Sequence, residues 1–212
     1  MKSRKGRDRA AVGFTVKSGW AAVVLLGGPP GSPRVLDTHM LALSDPTIPE
    51  ARQPYHDGFG TARRSGPGLS RLVGSVQRFG RQSVTGLIRQ YRAQGHNLAG
   101  VAVVVGSLTD PDRIANAHIR IHALEGRLFR KVVEDAVDRA ELTCSTWRDR
   151  DLYGRAVEIL KRAEPQLRVV LSALHRPVSR PWRAEQKAAA LAAWLVLARR
   201  KTVTMRNGQP AV

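Results

Sequence analysis

The chain is predicted to be an α/β protein with a five-stranded mixed sheet. Its first three strands should form an antiparallel meander, and helices should cover both faces. Three observations lead there. Residues 11–43 hold three β-rich runs separated by Gly, Ser and Pro turns. Residues 98–106 (LAGVAVVVG) form a short unbroken apolar run between turn residues. Such a run marks a strand covered on both faces, which favours a parallel, central position. The segments before and after it keep helical spacing of apolar residues.

Taken in order, residues 11–17 and 20–27 form a hairpin turning at Ser18-Gly19. A Gly/Pro-rich turn at 27–33 leads to a third strand, 34–43. Strict alternation there puts Val35, Leu41 and Leu43 on one face with Asp37 and His39, and Leu36, Met40 and Ala42 on the other. Residues 44–68 contain four prolines and four glycines without periodicity. This stretch reads as a solvated connector in preference to a binding loop, although Gln53-Pro54-Tyr55-His56-Asp57 within it is polar and aromatic. Over residues 69–94, Leu72, Val76, Phe79, Val84, Leu87 and Tyr91 keep a helical stripe that Gly95 ends. Asn116 is the expected N-cap of a helix running to about Arg139. A fifth strand (142–147), two helices (151–162 and 165–174) and a last helix (182–200) follow. The last is apolar nearly all round from Ala188 to Ala198, so it must pack between other elements.

The formal net charge is +18. Lys2, Arg4, Lys5, Arg7 and Arg9 against Asp8 give the first nine residues +4, and Arg199, Arg200, Lys201 and Arg206 give the last fourteen another +4, leaving +10 for the body. The expected organisation is a basic disordered arm (1–10), one domain (11–200) and a disordered tail (201–212). A basic body points to a polyanionic partner, nucleic acid first, either DNA or RNA. The single cysteine, Cys144, excludes a disulfide framework and a cysteine-based zinc site, and fits a reduced cytoplasmic setting. No apolar stretch follows the first basic residues as in a signal peptide, and the longest apolar run is shorter than the roughly 20 residues that span a bilayer, so no membrane partner is expected. A homodimer is left open.

The helix from Asn116 carries the most unusual face. At about 100° per residue, His118, His122 and Glu125 fall close together among Ile119, Ile121, Phe129 and Val132. The spacing predicts two histidines and a carboxylate on the face that should be buried, which is costly unless each finds a partner or a metal.

The order of elements resembles the ribonuclease H-like fold, in particular its RuvC-type branch, the Holliday-junction resolvases and their relatives. The resemblance covers about residues 11–198. It is carried by VGFTVKSGW at 12–20 as first strand and turn, by 98–107 as fourth strand, and by EQKAAALA at 185–192 as the final alanine-rich helix. It implies two-metal phosphodiester hydrolysis, with divalent ions held by carboxylates from the first strand, the end of the fourth strand and the start of the last helix. Here the first-strand acid falls at Val16 or Lys17 and the fourth-strand acid near Ser107, with Asp110 a few residues late. Glu185 stands for one acid of the last helix, and Ala188 occupies the place of the other.

The implied carboxylates are thus mostly replaced, and the sheet end next to the first turn of the 116–139 helix becomes the candidate site. His118, His122 and Glu125, at i, i+4 and i+7, are candidate ligands of a divalent metal such as zinc or candidate acid–base groups, with Glu185 and Asp110 as further catalytic candidates. Alternatively, Lys17, Ser18, Ser107 and the helix N-terminus form an anion site. Arg120, Arg183 and Lys187 are the further basic candidates for phosphate contact. As a third alternative, the His-His-Glu face is a hydrogen-bonded polar core. The expected function is nucleic-acid binding without standard two-metal nuclease activity. The alternative is a metal- or phosphate-dependent hydrolase or nuclease with a non-standard His/His/Glu plus Lys site.

Overall fold

The computed structural model describes residues 9–58, 61–174 and 182–199. The expected arm up to Asp8 and the tail lie outside these. β1 (Arg9–Lys17) and β2 (Trp20–Gly27) pair antiparallel, with Lys17 opposite Trp20. The turn between them works because Gly19 takes a φ of +81°, a conformation a side chain would resist. β3 (Arg34–Ala42) completes the meander. β4 (Asn97–Val105) lies parallel to β1 on one side and to β5 (Cys144–Arg148) on the other. The sheet order is therefore β3-β2-β1-β4-β5, the five-stranded mixed sheet expected.

Alternation along β1 feeds two cores. Val12, Phe14 and Val16 point to the layer formed by α1 (Pro67–Ala93) and α2 (Ala117–Arg139), where Phe129 and Val133 meet them. Ala11 points the other way, to α5 (Ala184–Ala198), which is backed by α3 (Asp149–Leu160) and α4 (Glu164–Ala173). Each large aliphatic or aromatic side chain so buried contributes about 1.5–3 kcal/mol. The residues of α5 from Ala189 to Leu197 are all buried, as its all-round apolar sequence requires. Trp194 fills the far end and donates its indole N–H to the Pro30 carbonyl at 2.7 Å. Small residues let α5 sit directly on the sheet: a Cβ at Gly13 would lie 1.8 Å from the Ala189 carbonyl oxygen.

β3 departs from the expected alternation. Leu25 pairs with Asp37 but Leu26 pairs with Val35, so Leu36 is an extra, bulged residue. The bulge shifts the phase by one. Val35 packs toward α5, whereas Leu36, Leu41 and Leu43 pack toward α1 and α2. No helix among the described residues is long and apolar enough to cross a membrane.

Candidate functional site

β1 and β4 are parallel, so their carboxyl ends reach the same edge of the sheet, with Thr15 beside Val104. There β1 delivers Lys17 and Ser18, and β4 delivers Gly106 and Ser107. α2 starts at this edge, capped by the Asn116 side chain, which accepts from the Ile119 N–H at 3.0 Å. On the opposite face, Thr15 donates its hydroxyl to the Glu185 carbonyl at 2.8 Å and ties the first turn of α5 to β1. Gly13, Thr15 and Lys17 share that face by strand alternation.

Two pockets open at this edge, and Lys17 lines both. One, of about 320 Å³, lies between β1 and the starts of α3 and α5. Its walls include Lys17, Arg183 and Lys187 as well as the acids Asp149 and Glu185. Lys17, Arg183 and Lys187 have no ion pair among the described residues, so their charge is available. Arg168 also reaches this pocket, but it is paired with Glu164 at 2.6 Å and lies over the Tyr153 ring. The second pocket, of about 590 Å³, lies between the ends of β1 and β4 and α2. Ser18, Ser107 and His122 line it together with Val16, Val105 and Ala123.

Behind the second pocket sits Glu125, with no exposed surface at all. One carboxylate oxygen accepts from the Ser18 hydroxyl at 3.3 Å, and the other lies 2.8 Å from His56 Nδ1. A buried carboxylate needs such partners. His56 comes from the 44–68 segment, which is not a mere connector. The segment holds a short 3-10 turn (Pro49–Arg52), and a bridge joins His56 to Ala62. Arg63 donates to the carbonyls of Pro54 and His56 at 3.0 and 2.9 Å. Sequence reasoning missed His56; the signals were a Tyr-His pair in a long loop and a buried acid lacking a partner.

His118 and His122 are exposed, not buried as the helical phase suggested. The buried stripe of α2 runs through Ile121, Glu125, Leu128 and Val132, and both histidines lie at its margin, past the end of the sheet. Their Nε2 atoms are 3.2 Å apart. The His56 ring centroid lies 4.9 Å from that of His122 and 6.4 Å from that of His118. Asp110 accepts from the Asp112 N–H at 3.2 Å and pairs with Arg127 at 3.4 Å. Arg120 is exposed on the first turns of α2 and lines neither pocket. Trp182 donates its indole N–H to the Leu171 carbonyl at 2.8 Å and packs on the α5 core.

Two structures of Thermus thermophilus RuvC match this chain, one of RuvC itself and one in complex with a Holliday junction substrate. Their TM-scores are 0.51 and 0.53, identity is 12% in both, and the match covers 88% of this chain and 92% and 91% of theirs. The fold is that of RuvC. The yeast mitochondrial Holliday junction resolvase Ydc2 also matches, with a TM-score of 0.42, 9% identity, and coverage of 89% of this chain and 77% of that one. No protein-family model matches the sequence, and no curated protein sequence does.

The RuvC-type fold raises the question of divalent metal ions. Hard cations need oxygen donors, chiefly carboxylates. At the edge where β1, β4 and the starts of α3 and α5 meet stand an ammonium (Lys17), a hydroxyl (Ser107), two carboxylates (Asp149 and Glu185) and a methyl group (Ala188). That donor set does not fit a two-metal centre. Around Glu125, both oxygens are turned to Ser18 and His56. Among the described residues, no group of three or more His, Cys, Asp or Glu side chains is placed to hold a metal ion.

Proposed function

We propose that this chain is a nucleic-acid-binding protein of RuvC-type fold that grips the phosphate backbone at the carboxyl end of β1, without two-metal hydrolysis. The observation that carries the reading is Lys17. It stands at the end of the central strand, where the resemblance implies a metal-binding acid at Val16 or Lys17, and it has no ion pair among the described residues. With Arg183 and Lys187 it turns one pocket of the edge cationic. An ammonium at this place repels a metal and attracts a phosphate, so one substitution inverts the preference of the site. The basic composition supports the same partner, with a net charge of +18. Of the matched structures, Thermus RuvC holds a Holliday junction substrate, so four-way junction DNA is the first ligand to try.

Fluorescence anisotropy with a four-way junction and a linear duplex, at about 50 and 200 mM salt, tests the reading. Binding should weaken steeply with salt as counterions are released. Lys17→Glu should lower affinity about tenfold at the lower salt, and Lys17→Ala should reduce the salt slope by about one. Absence of binding, or binding indifferent to salt, overturns it.

The three imidazoles beside the second pocket favour a second reading. In it, His118 and His122 serve a phosphate-ester hydrolase as acid–base groups, a role histidines fill at neutral pH, with Lys17 toward the phosphate and Glu125 holding His56 beside them.

A further inference from the structure

From Gly58 to Thr109 the sequence has no aspartate or glutamate but seven arginines, five of them on α1. One flank of α1 packs on α2. The other borders β3, an edge strand of the sheet, and holds two open depressions. The first, of about 750 Å³, lies where α1 starts, against Ile48 and Glu50. The second, of about 440 Å³, lies between α1 and His39 and Leu41 of β3. Leu72, Ser75, Phe79, Gln82 and Gly86 line the two in turn, at alternating spacings of three and four residues. Such a row is the seam that one helix presents to another. Leu41, Leu72, Phe79 and Leu87 make its floor apolar, and Gly86 keeps it low, since an added Cβ there meets nothing within 4 Å. Arg71 and Arg78 stand exposed beside the row, and exposed Arg89 continues it. None of the three has an ion pair among the described residues. Glu50 is the one acid in the lining. Arg63, the other cation there, is paired with Asp57 at 3.5 Å, and the His39 ring is engaged by Asp37.

We infer that this flank of α1 docks an acidic amphipathic helix of a partner protein. The helix lies along the trough with its apolar stripe on Leu72 and Phe79 and its carboxylates on Arg71 and Arg78. A helix seated in a groove is anchored by residues recurring at i, i+3 or i+4, and i+7, which is the pattern the seam offers. Arg71 and Arg78 are about 10.5 Å apart along the axis at 1.5 Å per residue, so carboxylates at i and i+7 of a parallel or antiparallel partner meet both. The unpaired arginines select an acidic partner. The apolar floor selects a protein, because a phosphate backbone is held by surface charge and needs none. A second copy of this chain, at a net charge of +18, is repelled. The surface is separate from the carboxyl end of β1, so the inference does not depend on the nucleic-acid reading.

The test uses the full chain and a fluorescein-labelled peptide of three heptads, with Leu at the first and fourth positions of each, Glu at the fifth and seventh, and Ala elsewhere. A peptide of the same composition, scrambled to remove the apolar stripe, is the control for charge alone. By anisotropy the first peptide should bind roughly tenfold more tightly than the scrambled one. Gly86→Glu puts an acid into the trough at a helical position with open space, where folding is not at stake, and should weaken the peptide about tenfold or more. The exposed pair Arg71→Ala and Arg78→Ala should weaken it by a similar factor. Both variants should leave affinity for a four-way junction within about twofold. Equal binding of the two peptides, or peptide affinity indifferent to Gly86→Glu, overturns the inference. A junction affinity that falls with these variants as steeply as the peptide's assigns the surface to nucleic acid and overturns it too. So does a dimer, seen by sedimentation, that Gly86→Glu dissociates, because the occupant is then a second copy.

Discussion

Gly13→Val should lower the thermal midpoint by about 10 °C or prevent folding, the cost of a side chain in a fully packed contact being about 3 kcal/mol or more. Gly13 lies in the middle of β1, where α5 crosses the sheet. A Cβ there would fall 1.8 Å from the Ala189 carbonyl oxygen and 2.7 Å from its carbonyl carbon. These are backbone atoms, so no rotamer change relieves the clash and α5 would have to lift off. Lifting α5 would expose the second core, including Leu191 and Trp194, and would break the Thr15–Glu185 hydrogen bond that aligns the two edge pockets. Gly86→Ala is the control. Gly86 lies within α1 and a Cβ there meets nothing within 4 Å, so stability should rise by about 0.5–1 kcal/mol. Thermal unfolding followed by circular dichroism reads both. An unchanged midpoint for Gly13→Val would show that α5 does not sit on β1 as described.

Glu125→Ala should destabilise by about 2–4 kcal/mol, because it strands two polar partners at once. The carboxylate has no exposed surface and joins three chain segments: the β1–β2 turn through Ser18, α2 through its own backbone, and the 44–68 segment through His56. Losing it leaves the Ser18 hydroxyl and His56 Nδ1 facing a cavity. Amide exchange around His56 should accelerate more than in α2, since His56 loses its side-chain partner. A double-mutant cycle with His56→Ala should give a coupling of about 1 kcal/mol or more between the two residues. Independent, additive effects would mean that the contact does not hold the loop.

Most elements were legible because their signals are local. Asn116 followed by a 3.6-residue stripe marks the start of α2, and the unbroken run before Gly106 marks a buried parallel strand. The phase of β3 was not legible. One bulged residue, Leu36, reverses the facing of everything before it, and an alternation count carries no sign of the insertion. The burial of His118 and His122 was misjudged for a different reason. Helical phase tells which residues share a face, but not where along the helix the sheet ends. Lys17, Ser18, Ser107 and His122 do line one pocket, and Lys17, Arg183, Glu185 and Lys187 line its neighbour. Glu125 stands behind the first of these through Ser18, and His118 lies outside it. His56 was invisible as a partner because its approach to Glu125 spans 69 residues and depends on loop geometry that no short-range pattern encodes.

The most direct test of a phosphate-gripping, metal-independent edge is one assay on a labelled four-way junction. Binding and strand scission are followed together in Mg²⁺, Mn²⁺ or Zn²⁺ and in excess chelator. The expected result is binding unchanged by chelator, weakened by salt and by Lys17→Glu, with no scission in any metal. Metal-dependent scission that chelator abolishes, or binding that requires the metal, would contradict it.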